Sequence, residues 1–332
     1  MSSLPAARGD ASALLLEHLS EPVHELPRAA IDPGDPLVDD DLHLALYLCY
    51  ELHYRGLPGV DERWEWEPSL LAARREWEGI FEQALLISVG EPAAPDDDMD
   101  LALRAILEAD DGPSLSRHLQ RDGTLDHVLE FVVHRSAYQL KEADPHSWAI
   151  PRLSGRPKAA LVEVQADEYG GGRPERVHAE LFAVTMEELG LDRTYGAYLD
   201  LLPGVTLATV NLMSLLGLHR RWRGAIVGHL AAFEMTSSLP NRRYGNALRR
   251  LGFGARATDF FDEHVEADAV HENIAAVDLA GGLAAQEPAL AADVLWGARA
   301  LLDVEGRWAR HLLDRWQAGA PSLLRPLAAV PV

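Results

Sequence analysis

The feature that most constrains this chain is an almost unbroken succession of helix-forming segments with no credible strand among them. Ala, Leu, Glu and Arg dominate the body, and all four are strong helix formers. LALYLCYELHYRGL and SLLAARREWEGIFEQALL repeat apolar residues at three- and four-residue intervals, the period of an amphipathic helix. Stretches near 125–143, 157–169, 174–189, 205–219, 224–238, 243–252, 256–280 and 287–317 follow the same rule. Pro145, Gly170 to Gly172, Gly190, Pro203, Pro240 and Gly252 punctuate them, as helix breakers do. No β-hairpin pattern or internal repeat is visible. The expected fold class is all-α, a compact helical bundle. One domain is expected over 38–318, after a flexible leader, 1–37, with at most one helical turn, and before a surface-hugging tail, 319–332.

Composition then excludes some functions. The chain has 332 residues, 48% hydrophobic and 25% charged, enough to bury a core without staples. A net charge of −22 repels phosphate backbones, so no nucleic-acid partner is expected. The one cysteine, Cys49, cannot build a disulfide framework and fits a reducing compartment. There is no run of 18 apolar residues and no secretory signal pattern, so no membrane span is expected and the expected location is cytoplasmic.

The most informative segment is FFDEHVEADAVHENIA. His264, Asp268 and His271 stand at i, i+4 and i+7, within roughly 60° of one another on a helix. Two imidazoles and a carboxylate on one stripe suit ferrous iron. Asp262, Glu263, Glu266 and Glu272 on the same helix leave a solvated acidic face as the alternative. A second piece, VEVQADEYGGGRPERVHAELF, carries Glu168 and His178. On one straight helix they would point about 80° apart, but a triple-glycine break can bring them to one point, with Pro174 opening the next helix. Glu175 and His178 also form an E-x-x-H pair, the ferritin-like pattern, without a second copy. The third piece is Glu234, a carboxylate set among small apolar residues in AIVGHLAAFEMTSS. A buried carboxylate wants a partner, either a metal or a salt bridge to Arg242 or Arg243.

Together these pieces resemble the haem-oxygenase-like non-haem di-iron oxidases and oxygenases, the iron-containing redox enzymes. That family carries Glu, His, Glu, His, Asp or Glu, and His in this chain order, with the last three spaced H-x-x-x-[DE]-x-x-H. Glu168, His178, Glu234, His264, Asp268 and His271 match it, and the resemblance covers roughly residues 40–315. It implies a haem-oxygenase-like fold without haem. It also implies two Fe(II) ions, O2 as co-substrate and an external electron donor, such as a donor protein. Some N-oxygenating members have a further carboxylate upstream, and Glu142 in LKEADPHSW is a candidate seventh ligand, with a helix cap or surface charge as the alternative.

The chemistry so implied passes through a bridged peroxo-diferric species. The best guess is N-oxygenation of a small amine- or amino-acid-like metabolite; oxidative C–C cleavage and desaturation are the alternatives from the same site. Gln165, Asp262, Tyr169 and Tyr244 are candidates to hold the imidazoles in place. Arg135, Arg152, Lys158, Arg242 and Arg243 are candidate partners for a substrate carboxylate, and Trp64, Trp66 and Trp148 candidate pocket walls. Glu51 and His53, two apart on a helix, diverge and are rejected as a chelating pair. Three other readings compete: a non-catalytic iron-binding protein, a helical protein that has lost its metal, and a haem-degrading enzyme using His43 or His53. Monomer and homodimer both stay open.

Overall fold

The computed structural model describes residues 4–28, 31–95 and 98–327, and not the side chains of 268–270. Its helices are α1 (Asp10–Leu19), α2 (Asp40–Glu51), α3 (Pro68–Val89), α4 (Met99–Glu108), α5 (Leu115–Arg121), α6 (Leu125–Gln139), α7 (Asp144–Ser147) and α8 (Gly155–Glu168). There follow α9 (His178–Glu188), α10 (Gly204–Leu218), α11 (Arg223–Arg250), α12 (Ala255–Asn273), α13 (Gly282–Gln286) and α14 (Ala291–Gln317). A π-helical segment, Ile274–Gly281, joins α12 to α13. The described residues contain no strand, and none of their helices is long and apolar enough to cross a membrane. The fold is all-α.

Local chemistry starts these helices where it should. Asp39 accepts from the Leu42 amide at the head of α2, and Ser114 and Thr124 do the same for α5 and α6. Such caps satisfy amides that have no partner inside the helix. Long helices then assemble around α11, which packs on α12 and α14. The contact of α11 with α14 depends on two glycines. A Cβ on Gly228 would sit 1.7 Å from the Val294 carbonyl oxygen, and one on Gly297 would sit 2.0 Å from that of Ala225. The two backbones touch where only hydrogen fits.

Three expectations need correction. Pro240 does not end a helix: α11 continues through it to Arg250. A mid-helix proline costs about 3 kcal/mol, and burial on both flanks, Ile226 to Ala232 before it and Ala247 and Leu248 after it, offsets that cost. Residues 174–189 are not one helix: Pro174–Arg176 is a 3₁₀ turn, and α9 starts at His178 because Val177 is extended (φ −58°, ψ 127°). Within the segment read as a leader, Asp10–Leu19 forms a helix rather than a single turn. Ala11, Leu15 and Leu19 are fully buried, and Asp41 accepts from the Ala11 and Ser12 amides at 2.9 and 2.8 Å. At the other end Ser322 is buried, and Glu130 accepts its amide at 2.8 Å.

Because backbone cannot yield as a flexible side chain does, Gly228→Ala and Gly297→Ala should each destabilise by at least the ~1–3 kcal/mol typical of overpacked cores. Gly79→Ala on α3, where an added Cβ meets nothing within 4 Å, should instead be neutral or stabilising. Thermal melts of the three variants check this; equal melting temperatures for all three would remove the close-approach argument.

Candidate metal centre

Five parts of the fold deliver acidic and imidazole groups to one buried place. Glu168 is the last residue of α8 and His178 the first of α9. Between them the chain doubles back at Gly170 (φ 68°), where a Cβ would lie 2.6 Å from the Arg176 carbonyl carbon, so only glycine closes this turn. The reversal leaves His178 Nδ1 2.8 Å from Glu168 Oε2. Glu142 sits in the turn after α6, and Glu234 lies midway along α11. His264 and His271 lie two turns apart on α12.

The Glu142 turn is strained. Ala143, φ 74° and ψ −32°, is the one non-glycine with positive φ among the described residues. Gln165 holds it there, its Nε2 donating to the Ala143 carbonyl at 2.8 Å and to Ser147 Oγ at 2.7 Å. Tyr169 adds a bond to Asp144 Oδ1 at 2.9 Å. Strain of this kind persists only where the surroundings over-determine it.

Two clusters result, and they share one residue. Glu142, Glu168, His178 and His264 form one; Glu168, Glu234 and His271 form the other. In each, the potential ligand atoms lie within 4.8 Å of one another. His264 Nε2 is 3.4 Å from Glu142 Oε1, and His271 Nδ1 is 3.3 Å from Glu234 Oε2. All these residues are buried. The side chain of Asp268 lies outside the described residues.

The groups fit a cation. Glu142 Oε2, Glu168 Oε2, Glu234 Oε2, His178 Nδ1 and His271 Nδ1 are buried without a hydrogen-bond partner among the described residues. His178–Glu168 and His271–Glu234 approach at ion-pair distance without the full geometry of a hydrogen bond. Such buried atoms need a partner, and mixed imidazole and carboxylate donors suit iron. The other ring nitrogens are held: His264 Nδ1 donates to the Phe260 carbonyl at 2.8 Å, and His271 Nε2 bonds Asp167 Oδ2 at 3.0 Å. These contacts leave Nε2 of His264 and Nδ1 of His271 to face the cluster.

Electrostatics agree. Burial, with Glu234 nearby, pushes the Glu168 carboxyl up, and burial also raises Glu142 against the pull of His264. Burial and the neighbouring His264 hold His178 down to about 4. Burial would lower His271 too, but Glu234, Asp167 and Glu168 outweigh it and lift it to about 9. Burial thus favours the protonated form of Glu168 and Glu142.

A cavity of about 260 Å³ opens onto Glu142, Glu168, Glu234 and His264. Its apolar wall includes Phe131, Tyr138, Phe233 and Trp308. Arg135 and Glu305 also line it, paired bidentately at 2.8 and 2.6 Å, with the guanidinium 3.9 Å above the Trp308 ring.

Residues 129–306, just over half of the chain, match the family described as iron-containing redox enzymes. The chain belongs to that family. It is an oxidoreductase with a haem-oxygenase-like, all-α fold, and its buried His and Glu cluster suits iron. A curated relative, nitrosourea synthase from Streptomyces achromogenes subsp. streptozoticus, is 29% identical over 138 residues, 41% of this chain. The chain spans only 29% of that relative's length.

The other sequence candidates fall elsewhere. Glu175 is exposed on the 3₁₀ turn and does not share a helix face with His178. Asp262 pairs with Arg249 instead of an imidazole, and Gln165 and Tyr169 brace α7 rather than a histidine. Tyr244 lines the cavity. Arg152 caps the Gly217 and Leu218 carbonyls, Lys158 is half-buried on α8, and Arg242 is exposed. Arg243 reaches Ser114 and Ser116, both on the cavity wall, at 3.4 Å. None of Trp64, Trp66 and Trp148 lines the cavity. Glu51 binds Lys141 at 3.0 Å while His53 binds Glu65 at 2.9 Å, so the two serve separate networks. His43 bonds the Pro36 carbonyl. Asp167 escaped sequence reasoning: it is 61% exposed on its side chain, and nothing in the string QADE distinguishes it from a surface charge.

Metal must displace the proton on His271 and that on Glu168. Ferrous affinity, titrated anaerobically, should therefore rise with pH by about tenfold per unit per proton displaced, flattening near pH 9 where His271 is already neutral. Proton release on binding, followed with a pH indicator, should shrink over the same range. A pH-independent affinity would contradict this placement of charge.

Proposed function

We propose that this protein is a di-iron, O2-activating oxygenase that oxidises the nitrogen of a small amine- or amino-acid-like metabolite. The observation that carries the reading is the pair of buried clusters sharing Glu168. In this reading Glu142, Glu168, His178 and His264 hold one iron. Glu168, Glu234 and His271 would hold the other, and the family's motif would add Asp268 as a ligand. Glu168 bridges. Iron bound there would supply the electrons for reducing dioxygen, with an external donor to restore them.

The chain's own groups do the rest. Carboxylates offset the cation charge, and the Phe260 carbonyl and Asp167 fix the tautomers of His264 and His271. The apolar cavity wall excludes bulk water from the reacting groups. Arg135 with Glu305, and Arg243 beside the Ser114 and Ser116 hydroxyls, offer charged and polar contacts to a substrate of amino-acid type. The relative's name supports nitrogen as the oxidised atom, since a nitrosourea carries an N–O bond.

Anaerobic ferrous titration should give two irons per chain. Glu168→Ala should lose both and abolish oxygen uptake, because it removes the shared ligand. His264→Ala and His271→Ala should each weaken one site strongly and leave the other measurable, with uptake reduced at least a hundredfold. One iron in the wild type, or two in Glu168→Ala, would defeat the shared-ligand reading.

A further inference from the structure

Two histidines beside the cavity belong to neither cluster. His146 stands on α7 and His229 on α11, both 1% exposed, and His146 Nε2 lies 3.1 Å from His229 Nδ1. One proton serves that contact, so one ring donates and the other accepts. The outer nitrogens, His146 Nδ1 and His229 Nε2, are buried without a hydrogen-bond partner among the described residues. A bare buried nitrogen is costly, and a folded protein that keeps one calls for a reason.

His146 lines the cavity together with Glu142, Glu168, Glu234 and His264. It cannot easily swing away. Gln165 and Tyr169 brace α7 through Ser147 and Asp144, and α10 presses on it so closely that a Cβ on Gly217 would lie 2.6 Å from the Pro145 carbonyl oxygen. The Phe233 ring stands edge-on to both imidazoles, at 4.9 Å from His229 and 6.5 Å from His146. Burial keeps both rings neutral, driving His146 down to about 3 and His229 well below its ordinary value.

We propose that His146 Nδ1 is a substrate-binding atom and that the His146–His229 pair recognises an uncharged nitrogen group bearing N–H or O–H, such as a neutral amine or its hydroxylated form. This rests on the N-oxygenation reading above. When His146 Nε2–H donates to His229, Nδ1 presents a lone pair that accepts an amine N–H and leaves the amine's own lone pair free for oxidation. When His229 Nδ1–H donates instead, His146 Nδ1 carries the proton and donates to an oxygen.

The test uses the full chain loaded with redox-silent zinc and followed by nitrogen NMR of isotope-labelled histidines. Methoxyamine, uncharged at neutral pH, should move the His146 Nδ1 signal saturably, and methylammonium should not. By calorimetry, His146→Phe should lose methoxyamine binding at unchanged zinc content, and His229→Asn, the milder change, should weaken it at least severalfold. An unmoved Nδ1 signal, or unchanged binding in both variants, would overturn the proposal. Binding as expected, with iron and O2 yielding no N–O product from any amine, would keep the pair's role and sink N-oxygenation. N–O product formed equally well by the wild type and both variants would do the reverse.

Discussion

Three carboxylates buried at one point set the terms for this molecule. Glu142, Glu168 and Glu234 are drawn from separate parts of the chain into one buried place, where like charges repel far more strongly than at a surface. Such an arrangement holds together only with positive charge among the carboxylates. In the bare protein protons supply part of it, which is why Glu168 is raised and His271 stays charged to about pH 9. The same field draws in divalent cations. His178 is held down by burial and by the neighbouring His264, whereas at His271 the acidic neighbours outweigh burial.

A cluster so unfavourable needs a frame that does not give. The frame is built from backbone contacts more than from side chains. The glycine contact between α11 and α14 fixes the helix that carries Glu234, Gly170 folds His178 back onto Glu168, and the strained Ala143 turn aims Glu142. Gln165 braces that turn from the same helix that ends in Glu168. Position along the chain and position in the cluster are thereby coupled, with α8 supplying both a cluster residue and the support for another.

The cavity follows from the same packing. Since α6, α11 and α14 each turn aromatic groups toward the cavity, the space beside the carboxylates has aromatic walls interrupted by polar groups. Arg135 and Glu305 neutralise each other there, and burial keeps His146 and His229 uncharged. The large acidic excess of the chain lies mostly outside the cavity, and surface pairs such as Glu82 with Arg221 and Glu180 with Arg193 contribute little to stability.

Much of this was legible before any coordinates. The i, i+4, i+7 spacing of His264, Asp268 and His271 points to one helix face because helix geometry has a fixed period. Glu234 stood out because a charge among alanines and glycines must be explained, and the glycine run announced a reversal between Glu168 and His178. The sequence by itself determined the fold class and the ligand types, since periodicity and residue chemistry are local properties. Only the tertiary structure decided that Glu168 belongs to both clusters and that Glu142 is buried among them. It alone decided that Asp167 reaches in from the surface, and that His146 meets His229 across 83 residues of chain. Those meetings depend on how distant helices pack, and no local period encodes them.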